Sequence, residues 1–246
     1  MSLSSEERER YHRHILVLGE KAQLRLKSSV VLVAGAGGLG SVVSYYLAAM
    51  GVGKLVLVDD GDVELSNLNR QILYATRDIG RAKVLVAAEK LRELNPNVEV
   101  VPVRGRLDYK LAAKLIEDHG VNLAVDALDN WETRLELNRA CVEKRIPLIH
   151  AAVEGFYGQL LVVVPGSTPC LHCVFARART PRTPIPVLPP VVAAVASMEV
   201  AEAVKLLTGA AEPVLGVLII YDAVRQTLDH VRVERNPSCP VCGALR

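Results

Sequence analysis

Along the chain, two kinds of apolar pattern alternate. Short runs rich in Val, Ile and Leu occupy residues 30–34, 54–59, 98–103, 122–127 and 147–152 and predict strands. Between them, residues 41–50, 83–94, 109–119 and 133–144 carry apolar positions three and four apart and predict helices. Gly51 and Gly53 end the first of these helices, Asn95-Pro96-Asn97 the second and Gly120 the third. This alternation predicts an α/β chain with a Rossmann-like, doubly wound sheet that is largely parallel. Two polar helices precede it, at residues 4–18 and 21–27, with Ser4 or Ser5 as the first cap.

The pattern changes after residue 154. Residues 155–164 read as a strand with no room for a crossover, so it runs antiparallel to the one before. Residues 165–190 contain Pro165, Pro169, Pro181, Pro184, Pro186, Pro189 and Pro190 and predict a long loop, made partly basic by Arg177, Arg179 and Arg182. A long apolar helix follows at 191–207, ended by Gly209, and a hairpin at 214–222 and 226–234 closes the chain. No repeat or linker divides the sequence. A single domain over 1–246 is expected, with a helical arm at 1–27, a strand–helix part at 28–153 and a second part at 154–246.

Composition narrows the picture. A net charge of +2 over 246 residues gives no reason to expect a nucleic-acid or membrane surface. No apolar run approaches the roughly 18 residues of a membrane span. The charged N-terminus lacks an apolar signal region, and a cytoplasmic protein is expected.

The first strand runs into Gly35-Ala36-Gly37-Gly38-Leu39-Gly40, with Gly35, Gly37 and Gly40 at G-x-G-x-x-G spacing. Such a turn brings backbone N–H groups and a helix N-terminus against a phosphate. Asp59, roughly 20 residues further on, suits a ribose hydroxyl. So far an NAD(P)-dependent oxidoreductase would fit. The stretch from Asp60 to Gln71 departs from that reading: it is polar, rich in Asn and carries Arg70. Arg70 and Lys83 are candidate phosphate ligands, by residue type equally consistent with surface charge. Asp126-Ala127-Leu128-Asp129-Asn130 follows the fourth strand, at the sheet end where open α/β folds bind ligands. Asp129 is a candidate metal-ion ligand, while loop and cap chemistry would equally explain Asp126 and Asn130. Arg134, in the next helix, faces an undetermined side. Near the N-terminus, Arg10, His12, Arg13 and His14 form either a solvated helix face or an arm that reaches a phosphate.

Cys170-Leu171-His172-Cys173 and Cys239-Pro240-Val241-Cys242 form two C-x-x-C knuckles. Four thiolates suit a tetrahedral structural zinc that would staple the tail to the body of the domain. Cys141, in an apolar helix, reads as a small buried hydrophobe.

Taken in order, Arg10-Tyr11-His12-Arg13, the GAGGLG turn, Leu65-Ser66-Asn67-Leu68-Asn69-Arg70-Gln71, Gly80-Arg81-Ala82-Lys83, Asp126 to Asn130 and the tail from Asn236 to Gly243 resemble the MoeB/ThiF family, bacterial relatives of ubiquitin-activating enzymes. The resemblance covers nearly the whole chain. It implies ATP- and Mg²⁺-dependent adenylation of the C-terminal Gly-Gly carboxylate of a ubiquitin-like sulfur carrier, MoaD-like or ThiS-like. The pathway could be molybdopterin, thiamine or tRNA thiolation. It also implies residue roles. Gly35, Gly37, Gly38, Gly40 and Asp59 would hold adenine, ribose and phosphate backbone. Asn67, Arg70 and Lys83 would contact the triphosphate, and Asp129 would hold Mg²⁺. Arg13 would reach the ATP site of the partner subunit of a homodimer. Residues 154–246 would bind the carrier, and the four cysteines would hold structural zinc.

Two departures matter. Some relatives carry a loop cysteine that bonds to the carrier, and residues 176–190 contain none. The chain ends just past its second knuckle, so no appended rhodanese domain is expected and sulfur is expected from a separate donor. His14 stands where the family often has Gln. Adenylation of a peptide is the alternative within the same chemistry.

Overall fold

A computed structural model of the chain describes residues 2–180 and 185–245. Its strands are β1 (Val30–Ala34), β2 (Lys54–Asp59), β3 (Glu99–Arg104), β4 (Leu123–Asp126), β5 (Leu148–Glu154), β6 (Tyr157–Val163), β7 (Val217–Asp222) and β8 (Thr227–Arg232). They form one sheet in the order β3-β2-β1-β4-β5-β6-β7-β8. Strands β3 through β5 pair in parallel, and β5 through β8 pair antiparallel. The predicted change of pattern after residue 154 is therefore real. Strand β6 follows β5 after a two-residue turn, so the chain folds straight back.

The helices are α1 (Ser5–Arg10), α2 (His12–Leu18), α3 (Glu20–Ser28), α4 (Gly38–Ala49), α5 (Lys83–Leu94), α6 (Tyr109–His119), α7 (Trp131–Glu143), α8 (Leu171–Phe175) and α9 (Pro189–Thr208). Because side chains alternate across a strand, each strand feeds both faces. Val31, Val33, Leu55, Leu57, Leu123, Val125 and Ile149 join the core under α4, α5 and α9. Leu32, Val56, Ala124, Leu148 and Leu161 join the core under α6, α7 and α8, where Cys170, Cys239 and Cys242 also pack. Doubly buried strands explain the near-continuous apolar runs of the sequence.

The departures from the expected elements are local. Residues 4–18 form two helices, broken at Tyr11, whose ring is buried against Gly51. Gly51 has φ +77°, and a Cβ there would stand 2.4 Å from the tyrosine ring. The Tyr11 hydroxyl accepts a hydrogen bond from Asn95 Nδ2 at 2.9 Å. Ser4 is the cap and forms a capping box with Glu7. Helix α8 lies within the stretch expected to be loop, and α9 begins at Pro189 because proline is tolerated in a first helical turn. Pro181, Arg182 and Pro184 of that loop lie outside the described residues.

Glu199 of α9 is fully buried, and among the described residues neither carboxylate oxygen has a hydrogen-bond partner. Burial pushes its pKa well above the ordinary glutamate value; the Asp126 charge adds to this and Arg134 opposes it. A pKa raised by folding means that its contribution to stability is complete below the unfolded value and is lost as pH rises toward the folded one. Glu199→Met is therefore expected to raise the unfolding free energy at neutral to mildly alkaline pH by about 1–3 kcal/mol. It should also flatten the decline in stability above the ordinary glutamate range. Urea unfolding of both proteins at acidic and alkaline pH checks this, and an equal decline in both would contradict it.

Candidate active site

At the carboxyl ends of the parallel strands lies a cleft of about 720 Å³. It sits where β1 and β4 part, the position at which open α/β sheets bind ligands. Gly35, at the end of β1, has φ +97°, and a Cβ there would lie 2.5 Å from the Ala127 carbonyl oxygen. Only glycine satisfies both the backbone conformation and the approach of the β4 loop. Gly37 faces the cleft with only the Gln71 amide within 4 Å of a notional Cβ. Gly38 also lines the cleft and lies against Val192 of α9.

Gly40 sits differently. A Cβ there would stand 1.9 Å from the Gly35 carbonyl, and Gly40 does not line the cleft. What the geometry gives Gly40 is a packing role: the missing side chain lets α4 close onto the turn. Helix α4 begins at Gly38 rather than at residue 41, with no side-chain cap on its first N–H groups. Those donors and the helix dipole suit a phosphate.

Asp59 fixes the turn. Its carboxylate accepts hydrogen bonds from the N–H groups of Ala36 at 2.7 Å and Gly61 at 2.8 Å. Tyr74 lies beneath, donating its hydroxyl hydrogen to the Ala36 carbonyl at 2.8 Å. Asn67, Arg70 and Lys83 line the same cleft. The Asn67 side-chain oxygen Oδ1 accepts from Glu64 N–H at 3.1 Å, which fixes its short 3₁₀ turn. Arg70 lies along Gly38 and donates to the Ser66 carbonyl at 2.9 Å and to Asn69 at 3.0 Å. Lys83 opens α5, with its Nζ near Gly61. Residues from Gly35 to Lys83 thus line one cleft, with Arg70 against the N-terminus of α4 and Lys83 beside Gly61.

Asp129 closes the opposite wall, in the turn between β4 and α7. It is exposed, and its only side-chain hydrogen bond among the described residues is a 3.3 Å contact with Asn130. Asn130 is the cap of α7, its side chain accepting from Thr133 N–H at 2.9 Å. Arg134, whose direction the sequence left open, lines the cleft, lies over the Trp131 ring and donates to the Leu128 carbonyl. Behind this wall, Asp126 and His150 are completely buried and hydrogen-bonded at 2.7 Å. Burial holds the His150 pKa below its ordinary value despite the opposing Asp126 charge, and so favours the neutral ring. Sequence reasoning gave His150 no role. Its partner is 24 residues away and is reached only through the β4–β5 register, in which the two residues are paired.

Arg13 does not line the cleft of its own chain. It is exposed on α2, while its neighbour Arg10 is committed to the Leu94 carbonyl and His14 to Gln23. Thr180, Ile185 and Val187 come from the proline-rich stretch and also line the cleft.

The four knuckle cysteines meet on the α8 side, with all sulfurs within 4.8 Å of one another. Individual separations are 3.8 Å for Cys170–Cys239, 4.0 Å for Cys170–Cys173 and 3.4 Å for Cys173–Cys242. Tetrahedral zinc with Zn–S of about 2.3 Å requires sulfurs about 3.8 Å apart, so the set could hold zinc. Cys141 stands apart, buried in α7, where burial pushes its thiol pKa up and leaves it inert. No described helix is long and apolar enough to cross a membrane.

The profile of the ThiF family matches residues 11–241. The chain is 43% identical over 251 residues to the SAMP-activating enzyme E1 of Haloferax volcanii, covering 99% of this chain and 92% of that one. It is 40% identical over 259 residues to the sulfur carrier protein adenylyltransferase of Thermus thermophilus, covering 99% and 93%. Among solved structures, E. coli MccB crystallised with ATP superposes with a TM-score of 0.85 at 26% identity, over 98% of this chain and 75% of that one.

Proposed function

Because this chain belongs to the ThiF family, we propose that it uses ATP to adenylate the C-terminal Gly-Gly carboxylate of a MoaD-like or ThiS-like sulfur carrier, releasing pyrophosphate ahead of thiocarboxylate formation in molybdopterin, thiamine or tRNA-thiolation chemistry. The observation that carries this reading is the cleft: a bare glycine turn, two cations and an exposed aspartate converge on one site whose described lining includes no cysteine or serine.

The chemistry needs no nucleophile from the protein. The attacking carboxylate is already ionised at neutral pH, so no general base is required. What must be overcome is repulsion between two anions, and the protein does this by position and charge. Asp59 takes the ribose. The N-terminus of α4 with Asn67, Arg70 and Lys83 takes the phosphates. Asp129 is the residue to hold Mg²⁺, which when bound supplies charge neutralisation for the phosphates. The carboxylate oxygen then bonds to the α-phosphorus as the bond to pyrophosphate breaks. The four cysteines hold structural zinc, a thiolate set that fits a reducing cytoplasm. Residues 28–153 bind nucleotide and 154–246 bind the carrier. Without a cysteine in residues 176–190, no loop thiol bonds to the carrier, and sulfur arrives from a separate donor.

The functional unit is a homodimer. Leu16 and Val17 of α2 are 69% and 82% exposed, beside an apolar groove lined by Tyr46, Met50, Val200 and Val204. Arg13 belongs to the same short helix, and the arm of residues 1–27 carries it toward the partner's site. Val17→Asp is expected to yield monomers by light scattering and to lower carrier-dependent ATP–pyrophosphate exchange about 100-fold. A monomer with full exchange would refute the shared site. The reading as a whole is tested by exchange with and without a carrier bearing an intact Gly-Gly end. Exchange that does not depend on the carrier, or tight NADH binding without ATP binding, would overturn it.

A further inference from the structure

Behind the Asp129 wall, Gln159 of β6, His150 of β5 and Asp126 of β4 form one hydrogen-bonded chain. Gln159 Nε2 lies 3.1 Å from His150 Nε2, and His150 Nδ1 lies 2.7 Å from Asp126 Oδ2. The carboxylate accepts, so Nδ1 carries the ring proton and Nε2 accepts from the Gln159 amide. The other carboxylate oxygen of Asp126 accepts from Leu128 N–H at 3.1 Å. One buried carboxylate is thus tied at one end to His150 and at the other to the turn that carries Asp129.

Two further observations give this chain a task. The Ala127 carbonyl is wedged against Gly35, so the turn after β4 and the glycine turn are in register by contact. The Arg134 Nε atom is buried, has no hydrogen-bond partner among the described residues and lies 3.8 Å from Asp126 Oδ1. It is a competing partner for the carboxylate. If His150 stopped donating, Asp126 would rotate toward Arg134 and release Leu128 N–H, and Asp129 would move with the turn. An apolar pair would fill the same space without the cost of burying polar groups.

We propose that His150 is a positioning residue of the adenylation site: through Asp126 it sets the 127–130 turn, and with it Asp129, in the place from which the nucleotide's metal ion is met. The proposal rests on the adenylation reading above.

Trp131, the sole tryptophan, is the reporter for its test. It opens α7 one residue after Asn130, and its ring centroid lies 5.4 Å from that of His150. Mg²⁺ titration in the presence of ATP, read by tryptophan fluorescence, follows metal and nucleotide binding alone, and carrier-dependent exchange follows kcat. His150→Phe keeps an aromatic ring and removes the donor. It is expected to raise the Mg²⁺ requirement and lower kcat, each about 10- to 100-fold, with KM for ATP nearly unchanged. His150→Asn restores a donor near the Nδ1 position and is expected to recover most of both. If His150→Phe does not fold, Gln159→Met removes the outer donor and is expected to shift both readouts in the same direction by a smaller factor. An unchanged Mg²⁺ requirement in whichever of these variants folds overturns the proposal, as does His150→Asn behaving like His150→Phe. If the wild type responds to Mg²⁺ and ATP but shows no carrier-dependent exchange, the adenylation reading fails while the fluorescence titration still judges the role of His150.

Discussion

Asp129→Ala is expected to lower carrier-dependent ATP–pyrophosphate exchange about 10²- to 10³-fold while leaving the fold and the cysteine cluster intact. The size of the effect follows from the assigned role. The reaction joins two anions, and a residue that places positive charge between them acts in the transition state, where the charge is being redistributed. The separation from stability follows from the surroundings. Asp129 is exposed and makes only a long contact with Asn130, so its removal leaves no buried group unpaired. Exposed substitutions of this kind change stability by about 0.5 kcal/mol or less. Asp126→Ala would be a poor substitute, because it would orphan His150 and Leu128 N–H as well. Exchange kinetics with circular dichroism and zinc content as controls make the comparison. An Asp129→Ala protein with wild-type exchange would remove Asp129 from the mechanism.

Cys239→Ser is expected to carry the largest stability cost. Cys239 and Cys242 are buried and pack in the α8-side core with Cys170 and Leu171. Besides the cysteines, Arg235 ties the tail to the body through the Gly166 carbonyl and folds it on itself through the carbonyls of Cys242 and Leu245, and Val233, Val241 and Leu245 pack against the same core. Zinc in small peptides supplies roughly 10–16 kcal/mol of binding free energy. Loss of even about 3 kcal/mol would lower Tm by about 6–12 °C in a chain of this size. The effect would also reach the active site. Cys173 lies in α8, and Phe175 of the same helix stacks on Trp131 at 4.7 Å. Metal analysis should fall from one zinc per chain to substoichiometric, protease should cut within 233–245, and the Trp131 fluorescence should change. A variant with unchanged Tm and metal content would show that the four thiols do not act as one site.

The glycine turn was legible because its constraints are local. Gly35 needs a positive φ, and the spacing from Gly35 to Gly40 is set by one strand, one turn and one helix. The cysteine knuckles were legible for the same reason, as each places two sulfurs three residues apart. Doubly buried strands could be read from apolar runs alone, and the reversal at residue 154 from the shortness of the connection. What sequence could not supply was register. The pairing of Asp126 with His150 depends on how β4 lies against β5, and the direction of Arg134 depends on what α7 packs upon. Tyr11 broke a predicted helix because its ring fits over Gly51, forty residues away. Gly40 matched a nucleotide-binding pattern yet packs against backbone, since one spacing serves both contact and close approach. Helix α8 was hidden because prolines on both sides make a five-residue helix look like loop.

Every residue role proposed above for the cleft depends on one step, transfer of an adenylyl group to a carrier's terminal carboxylate. Intact-mass analysis of a Gly-Gly-ended sulfur carrier, incubated with the protein, ATP and Mg²⁺ and quenched in acid, tests it most directly. The expected product is a carrier heavier by one adenylyl group, absent when the terminal glycine is deleted and absent with Asp129→Ala. A carrier of unchanged mass, under conditions where the protein binds both carrier and ATP, would contradict it.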